Sequence, residues 1–276
     1  MFTLFSRTTE GFYKPSNANL FHFPAGEAMI GPAEDPTEVP AIAFVQGADP
    51  DDLIMLAMAA DYANQKGNGL IALFPYLPGA RADRGFPFGA KVYANLINAM
   101  NLKEIICFDP HSPVITNLLH RVTVLDTVDV ITRTVLNGGK KYAGVISPDE
   151  GSRTRSGLIA KAAGIPLVNA GKHRDFATGK LSGFWCDELP DPEGTYILID
   201  DIADGAGTFM GLAKEIDLPK EQFDIWVSHG VFSGKAPGLR DYFGEIWTTN
   251  SHPGATREEV GAHVVDILPY LMQLVN

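Results

Sequence analysis

Two carboxylates followed by a turn of small residues form the segment most suited to chemistry. The apolar run Tyr196–Ile199 precedes Asp200 and Asp201 directly, and a glycine turn follows. That turn consists of Asp204, Gly205, Ala206, Gly207 and Thr208. At the carboxyl end of a parallel strand, such a turn offers the N–H groups and positive dipole end of a helix to a phosphate. We therefore predict a phosphate site there, with Asp200 and Asp201 holding ribose hydroxyls or hydrated Mg²⁺; the alternative is a capped helix after a buried strand.

Short apolar runs rich in β-branched residues predict the strands that position these groups. They are Ala41–Val45, Leu70–Phe74, Glu104–Phe108, Gly144–Ile146, Pro166–Val168, Tyr196–Ile199, Asp224–Val227 and Glu245–Trp247. Between them, apolar residues at helical spacing predict helices over Asp52–Ala63, Ala90–Met100, Ser152–Ala163 and Thr208–Glu215. Alternating strands and helices indicate parallel sheets covered on both faces, so the fold class is α/β.

The strands divide roughly evenly about residue 130, which favours two tandem doubly wound domains over one large sheet. We place the domains at residues 1–130 and 131–276. Residues Ala255–Val275 read as a last amphipathic helix, which would pack back on the first domain.

The charge balance restricts the class of partner. Of 276 residues, 22 are Lys or Arg and 33 are Asp or Glu, which gives a formal net charge of −11. Nucleic acid or an anionic membrane is therefore not expected as the main partner, and a phosphate ligand would have to be held by local groups. The two cysteines lack metal-site spacing, and no apolar stretch is long enough for a signal peptide or a membrane helix, so we expect a cytoplasmic protein.

Several segments resemble one enzyme family in both order and spacing. Residues 200–208 resemble the phosphoribosyl-pyrophosphate motif that type I phosphoribosyltransferases share with ribose-phosphate pyrophosphokinases. Residues 74–84 and 90–96 resemble a first-domain signature that only the pyrophosphokinases have. Residues 109–112 (Asp-Pro-His-Ser), residues 147–151 (Ser-Pro-Asp-Glu-Gly), and more weakly residues 23–27 and 228–234 also match pyrophosphokinase segments.

The resemblance implies two tandem domains of the type I phosphoribosyltransferase kind. It also implies Mg²⁺-dependent transfer of the pyrophosphoryl group of ATP to ribose 5-phosphate, giving phosphoribosyl pyrophosphate and AMP. By matching motifs, the ATP contacts are Phe23, Glu27, Arg81, Asp83 and His111. The metal contacts are His111 and Asp149, and the catalytic residues are His111 with Lys172 and Arg174 of a mobile basic loop. The family forms homo-oligomers, so a dimer or hexamer is expected.

The chain departs from the family pattern at several ligand positions. Ala25 stands where an acidic residue is usual, Ala82 where glutamine is usual, Gly205 where threonine is usual, and His173 where a basic residue is usual. A smaller phosphate loop would admit a phosphodiester, so ADP-ribose is an alternative acceptor, which would connect the protein to NAD metabolism. A non-catalytic regulatory homologue is a further alternative, whereas a phosphoribosyltransferase would lack the segment at residues 74–84.

Overall fold

The protein is described here by a computed structural model that covers residues 1–31, 38–174 and 181–275. The chain forms two compact units. The first comprises Met1–Leu125 together with Ile267–Asn276, and the second comprises Asp126–Asp266.

The first unit is built on a six-stranded sheet. The unit contains β1 (Phe2–Arg7), β2 (Tyr13–Pro15), β3 (Asn19–His22), β4 (Ala28–Gly31), β5 (Pro40–Val45), β6 (Ile71–Phe74), β7 (Glu104–Phe108) and β8 (Val122–Leu125). Its helices are α1 (Pro50–Gln65), α2 (Gly89–Ala99) and α3 (Pro113–Thr116). The sheet order is β2-β1-β5-β6-β7-β8, and β3 pairs with β4 as a separate hairpin. Strands β5 to β8 run parallel, whereas β1 and β2 join antiparallel at the edge.

The second unit is built on a seven-stranded sheet. It contains α4 (Thr127–Ile131), a π-helical turn (Thr132–Leu136), β9 (Gly144–Ser147), α5 (Arg153–Ala163), β10 (Leu167–Arg174), β11 (Leu181–Cys186), β12 (Tyr196–Ala203), α6 (Gly207–Ile216), β13 (Phe223–Gly230), β14 (Ile246–Thr249) and β15 (His263–Val265). The sheet order is β11-β10-β9-β12-β13-β14-β15, with only β11 antiparallel to its neighbour. After it, α7 (Leu268–Met272) belongs to the first unit.

The central strands of both sheets have side chains that are buried on both faces. All four residues of β6 and all eight of β13 are buried, which explains the apolar runs that they contain, Ile71–Phe74 and Ile225–Val227. Helix α1 begins at Pro50 because Asp49 caps it, accepting the Asp51 N–H at 3.0 Å. Its buried face includes Leu53, Leu56 and Ala60, which join the first unit's core at helical spacing.

Each of the eight predicted strands and four predicted internal helices overlaps an observed element, so the α/β fold class is confirmed. The sheets differ from purely parallel ones only at their edges. There, β1, β2 and β11 add antiparallel strands, and a short turn joins β1 to β2 without a crossover helix.

The prediction of one helix over Ala255–Val275 is wrong. A 3₁₀ turn at Pro253–Thr256 is followed by β15, which pairs in parallel with β14, and only the five residues of α7 are helical. Gly261, with φ of +64°, breaks the helical path, and the β-branched pair Val264 and Val265 favours a strand. The apolar spacing alone does not distinguish these outcomes.

No helix within the described part of the chain is long and apolar enough to cross a bilayer.

A buried ion pair lies at the amino-terminal end of β13, away from the carboxyl edge of the sheet. Its contribution to stability can be tested. Asp224 is fully buried and accepts hydrogen bonds from Tyr142 Oη at 2.8 Å and from the Glu245 N–H at 3.0 Å. Lys140 Nζ lies 2.6 Å from its carboxylate. Burial raises the pKa of Asp224, while Lys140 and Tyr142 lower it. Lys140 and Tyr142 therefore offset part of the desolvation of the carboxylate, and its pKa stays above the ordinary value.

Lys140→Met is expected to lower the free energy of unfolding by about 2 kcal/mol at pH 7, because it leaves this carboxylate short of a partner. The folded pKa lies above the unfolded value of about 3.9, so the penalty grows as the pH rises from there. Urea unfolding should therefore show a smaller loss at pH 4 than at pH 7. Lys141→Met, at an exposed neighbour, is the control; equal losses at both pH values would contradict the assignment.

Candidate active site

The predicted phosphate loop lies between β12 and α6 in the second unit. Strand β12 runs to Ala203, so Asp200 and Asp201 lie inside the strand, close to its carboxyl end, rather than after it. Helix α6 begins at Gly207 after Ala206, which has φ of +59° and provides no side-chain cap. A left-handed alanine costs roughly 1–2 kcal/mol, and such strain is concentrated at functional sites. The start of α6 is open, because a Cβ added at Gly205 or Gly207 would meet nothing within 4 Å.

The carboxyls of Asp200 and Asp201 lie next to each other at the end of β12. Asp201 is 6% exposed, and its N–H donates to Asp200 Oδ1 at 2.9 Å. Asp200 is partly exposed. Burial, and then the carboxylates of Asp201 and Asp149, raise the pKa of Asp200 well above its ordinary value. Two neighbouring carboxyls at this position therefore favour a proton more strongly than isolated aspartates do.

Asp149 lies at the carboxyl end of the neighbouring strand, β9. Its Oδ1 accepts the Ser152 N–H at 3.2 Å, and its own N–H donates to Ser152 Oγ at 3.3 Å. Ser147 Oγ donates to the Asp149 carbonyl at 2.9 Å. These bonds fix the turn that leads into α5, and they leave Oδ2 directed toward Lys172.

Lys172 is brought to the same edge by β10. Its Nζ lies 3.5 Å from Asp149 Oδ2, so the predicted catalytic lysine and the predicted metal ligand are in contact in this unit. Arg174 is the last residue of β10 and pairs with Leu181 of β11. The side chain of Arg174 lies outside the described residues, and His173 is exposed on the same strand.

Three further polar residues line this edge, and the sequence did not assign them a role. Ser233 Oγ donates to Asp204 Oδ1 at 2.5 Å, which ties the loop after β13 to the phosphate loop. His229, at the end of β13, is buried and bonds through Nδ1 to Ser251 Oγ at 2.8 Å. Burial and then His229 lower the pKa of His252, whereas Asp204 raises it. The weak match at residues 228–234 was the available signal for Ser233 and His229.

In the first unit, the predicted ATP contacts follow neighbouring strands. Arg81 and Asp83 lie in the turn after β6, and His111 lies just after β7, so all three are at the carboxyl edge of one sheet. Arg81 and His111 are exposed, and Asp83 forms an ion pair with Arg84 at 3.3 Å. Ser112, next to His111, caps α3 by accepting the Val114 N–H at 3.2 Å.

Residues 23–27, which include the predicted ATP contacts Phe23 and Glu27, form the tip of the β3–β4 hairpin. The Phe23 N–H donates to the Glu27 carbonyl at 2.9 Å, and the Gly26 N–H donates to the Phe23 carbonyl at 2.8 Å. Gly26, with φ of +100°, completes this short turn. Phe23 is 50% exposed and packs edge-on against Phe21, and Ala25 and Glu27 are exposed. The hairpin thus displays an aromatic ring and a carboxylate to solvent.

The donor set suits magnesium better than a metal held by protein alone. Among the described residues, no group of three or more His, Cys, Asp or Glu side chains is arranged to hold a metal ion. Mg²⁺ keeps several waters and commonly binds one or two carboxylates together with substrate phosphates. Asp149 Oδ2 and the Asp200–Asp201 pair are hard oxygen donors of that kind, whereas the described residues present no thiolate set.

Comparisons with known proteins find similar sequences and a similar fold. No protein-family model matches the chain. The ribose-phosphate pyrophosphokinase of Mycoplasma pneumoniae is 29% identical over 238 residues, covering 79% of this chain and 71% of that protein. The Helicobacter pylori protein of the same name is 27% identical over 276 residues, covering 91% and 85%. The Cereibacter sphaeroides protein of that name matches at 28%, over 67% of this chain but only 58% of its own length.

The fold agrees with these names. The crystal structure of phosphoribosylpyrophosphate synthetase from Mycobacterium smegmatis superposes with a TM-score of 0.76 at 23% identity, covering 94% of this chain and 88% of that one. The fold is therefore that of a phosphoribosylpyrophosphate synthetase, with two α/β units of the type I phosphoribosyltransferase kind. The sequence similarity is consistent with this fold, since the curated proteins reported above are 27% to 29% identical to the chain and carry the name ribose-phosphate pyrophosphokinase.

Proposed function

We propose that this protein transfers the β,γ-pyrophosphoryl group of ATP to the anomeric hydroxyl of ribose 5-phosphate, giving phosphoribosyl pyrophosphate and AMP. The observation that carries the proposal is the edge of the second unit's sheet. There, an uncapped helix start, paired aspartates, Asp149 and Lys172 come together. The names of the relatives support the same reaction.

The second unit would hold the acceptor. The first-turn N–H groups of α6 and the Thr208 hydroxyl bind the 5-phosphate, and Asp200 with Asp201 accepts hydrogen bonds from ribose hydroxyls. This places the anomeric oxygen near the edge that carries Lys172. The anomeric oxygen attacks the β-phosphorus of ATP and loses its proton, while the bond from that phosphorus to the bridging α–β oxygen breaks and AMP leaves.

Phosphoryl-type transfer asks the protein mainly for positioning and for charge stabilisation. Lys172 supplies a cation that stabilises the oxygens of the moving group more strongly in the transition state than in the ground state. In the first unit, Arg81 offers paired donors to ATP phosphates, while Phe23 and Glu27 hold the base. Asp149 and His111 are the residues proposed to hold Mg²⁺, which would supply positive charge to phosphate oxygens.

The deciding experiment follows the conversion of ATP to AMP with Mg²⁺, offering ribose 5-phosphate and ADP-ribose in separate reactions. Mass spectrometry identifies the pyrophosphorylated product. Release of AMP with ribose 5-phosphate and a matching product is the expected result. If neither acceptor releases AMP, the proposed reaction is wrong, and a regulatory partner of an active enzyme becomes the function to test.

One structural observation favours ADP-ribose as a second candidate acceptor. Gly205 has open space around its Cβ position, and its φ lies outside the left-handed range. The glycine is therefore not required by the backbone. Its effect is to keep the phosphate loop free of the side chain that the family usually has there, which leaves room for the second ester group of a phosphodiester.

Gly205→Thr is expected to lower the KM for ribose 5-phosphate by roughly 3- to 10-fold, because the added hydroxyl donates one hydrogen bond to the phosphate monoester. The same change should not improve the use of ADP-ribose. Steady-state kinetics with both acceptors test this, and Gly205→Ala, which adds only Cβ, is the control. An equal change for both acceptors would show that Gly205 does not set the choice between them.

We also propose that the protein acts in the cytoplasm as a homo-oligomer. Two free cysteines, one of them buried Cys107, suit a reducing compartment. Sedimentation velocity of the purified chain distinguishes a monomer from a dimer or a hexamer.

A further inference from the structure

A two-stranded ribbon, residues 170–174 of β10 paired with residues 181–186 of β11, carries Lys172. Strand β10 pairs with β9 only over Leu167–Asn169. From Ala170 onward it pairs only with β11, so the ribbon extends beyond the carboxyl edge of the sheet. The backbone pairing of the sheet therefore does not fix the position of Lys172, and some other contact must do so.

Phe184 makes that contact. It lies directly opposite Lys172 in the antiparallel register, so the two side chains share one face of the ribbon. Phe184 packs against the second unit's hydrophobic core. Its ring lies over Gly211 of α6, where a Cβ would be 2.1 Å from Cε2 and 2.2 Å from Cζ. No side chain larger than hydrogen fits at Gly211 while the ring stays there.

Gly211 is otherwise an unfavourable residue for its position. A glycine in a helix interior costs about 1 kcal/mol relative to alanine, and Gly211 has no left-handed φ that would require it. It lies one helical turn after Gly207, where α6 begins at the phosphate loop. Because Gly211 has no side chain, α6 has a notch at this position, and the Phe184 ring fills the notch.

We propose that Phe184, seated in the Gly211 notch, is a positioning residue that sets the distance between Lys172 and the phosphate loop. The contact joins the ribbon to α6 through packed, rigid groups, so Lys172 keeps its place beside Asp149 at 3.5 Å. The effect of this contact on catalysis rests on the proposed function, because it assumes that Lys172 acts on the pyrophosphoryl group that is transferred.

Gly211→Ala is the direct test. Its Cβ displaces the ring, so we expect kcat to fall about 10- to 100-fold, since misplacement by about 1 Å is enough for such a loss. The KM for ribose 5-phosphate should stay within about twofold, because the N–H groups of the loop are unchanged. Gly157→Ala in α5 and Gly183→Ala in β11 are the matched controls. Their added Cβ atoms meet only Leu167 at 3.7 Å and open space, respectively.

A second substitution that makes room for the added Cβ distinguishes a positioning role of Phe184 from a general loss of stability. Phe184→Leu removes part of the ring, so the double variant Gly211→Ala with Phe184→Leu should recover activity and approach Phe184→Leu alone. A double variant that is less active than Gly211→Ala would overturn the proposal, as would a Gly211→Ala protein as active as the two control variants.

A second readout does not depend on the reaction. Acylation of Lys172 by a small amine-reactive ester, followed by peptide mass spectrometry, reports how freely the ribbon moves. Gly211→Ala should raise the labelling rate of Lys172 relative to Lys161, and the double variant should restore it. If no acceptor supports release of AMP but this pattern holds, the proposed function fails while the positioning contact stands. An unchanged labelling rate would refute the contact itself.

Discussion

Replacing Lys172 by methionine is expected to lower kcat by about 100- to 1,000-fold, the size of effect that follows the loss of one preorganised group stabilising a transition state. Methionine keeps the length and the packing of the side chain but removes its charge. The KM for ribose 5-phosphate should change little, because the phosphate loop, rather than Lys172, holds that substrate. Steady-state rates of AMP release at saturating ATP provide the measurement.

The controls for Lys172 distinguish a local role from an effect of net charge. Lys161→Met removes a cation from the last turn of α5, where the side chain is exposed, and should leave kcat unchanged. Lys172→Arg keeps the charge with a different shape and should retain part of the activity. If Lys172→Met and Lys161→Met have the same kcat, Lys172 is not catalytic and its ion pair with Asp149 is structural.

The parts of the fold that the sequence predicts are those buried on both faces. Strands such as β6 and β13 contain only buried residues, so their apolar runs stand out. Strand β1 alternates between buried and partly exposed residues and lies near a sheet edge. The hydrophobic pattern of β1 is therefore weak. The pattern of β15 is also weak, because that strand has only three residues. The wrong helix over Ala255–Val275 has the same cause, because short apolar groups there fit several kinds of element.

The candidate site divides in a similar way. Asp149, Asp200 and Asp201 could be proposed because each follows or ends a recognisable strand, and parallel strands bring their carboxyl ends to one edge. The contacts of Ser233 with Asp204 and of Phe184 with Gly211 join residues 29 and 27 positions apart on different elements. Nothing in local sequence encodes such a contact, because it depends on how the two elements pack.

The paired aspartates lead to a prediction in which stability and activity change in opposite directions. Asp200→Asn is expected to lower kcat/KM for ribose 5-phosphate about 100-fold, because the amide accepts hydrogen bonds from ribose hydroxyls less strongly than a carboxylate does. The same variant should unfold at a higher temperature than the original protein at pH 7. The raised pKa of Asp200 means that the folded state binds the proton more tightly than the unfolded chain does. Stability is therefore lost as the pH rises above the unfolded value, and asparagine removes that loss.

Proton release upon binding provides the sharper test of this pair. If Asp200 gives up its proton when Mg²⁺ and ribose 5-phosphate bind, calorimetric titrations in two buffers of different ionisation enthalpy should show release of up to about one proton. Asp200→Asn should release none from this pair, and its KM should no longer fall as the pH rises. Asp241→Asn, at an exposed aspartate of the same unit, should behave like the original protein. Equal proton release from Asp200→Asn and the original protein would contradict this prediction. The released proton would then come from another group, and Asp200 would already be ionised before the ligands bind.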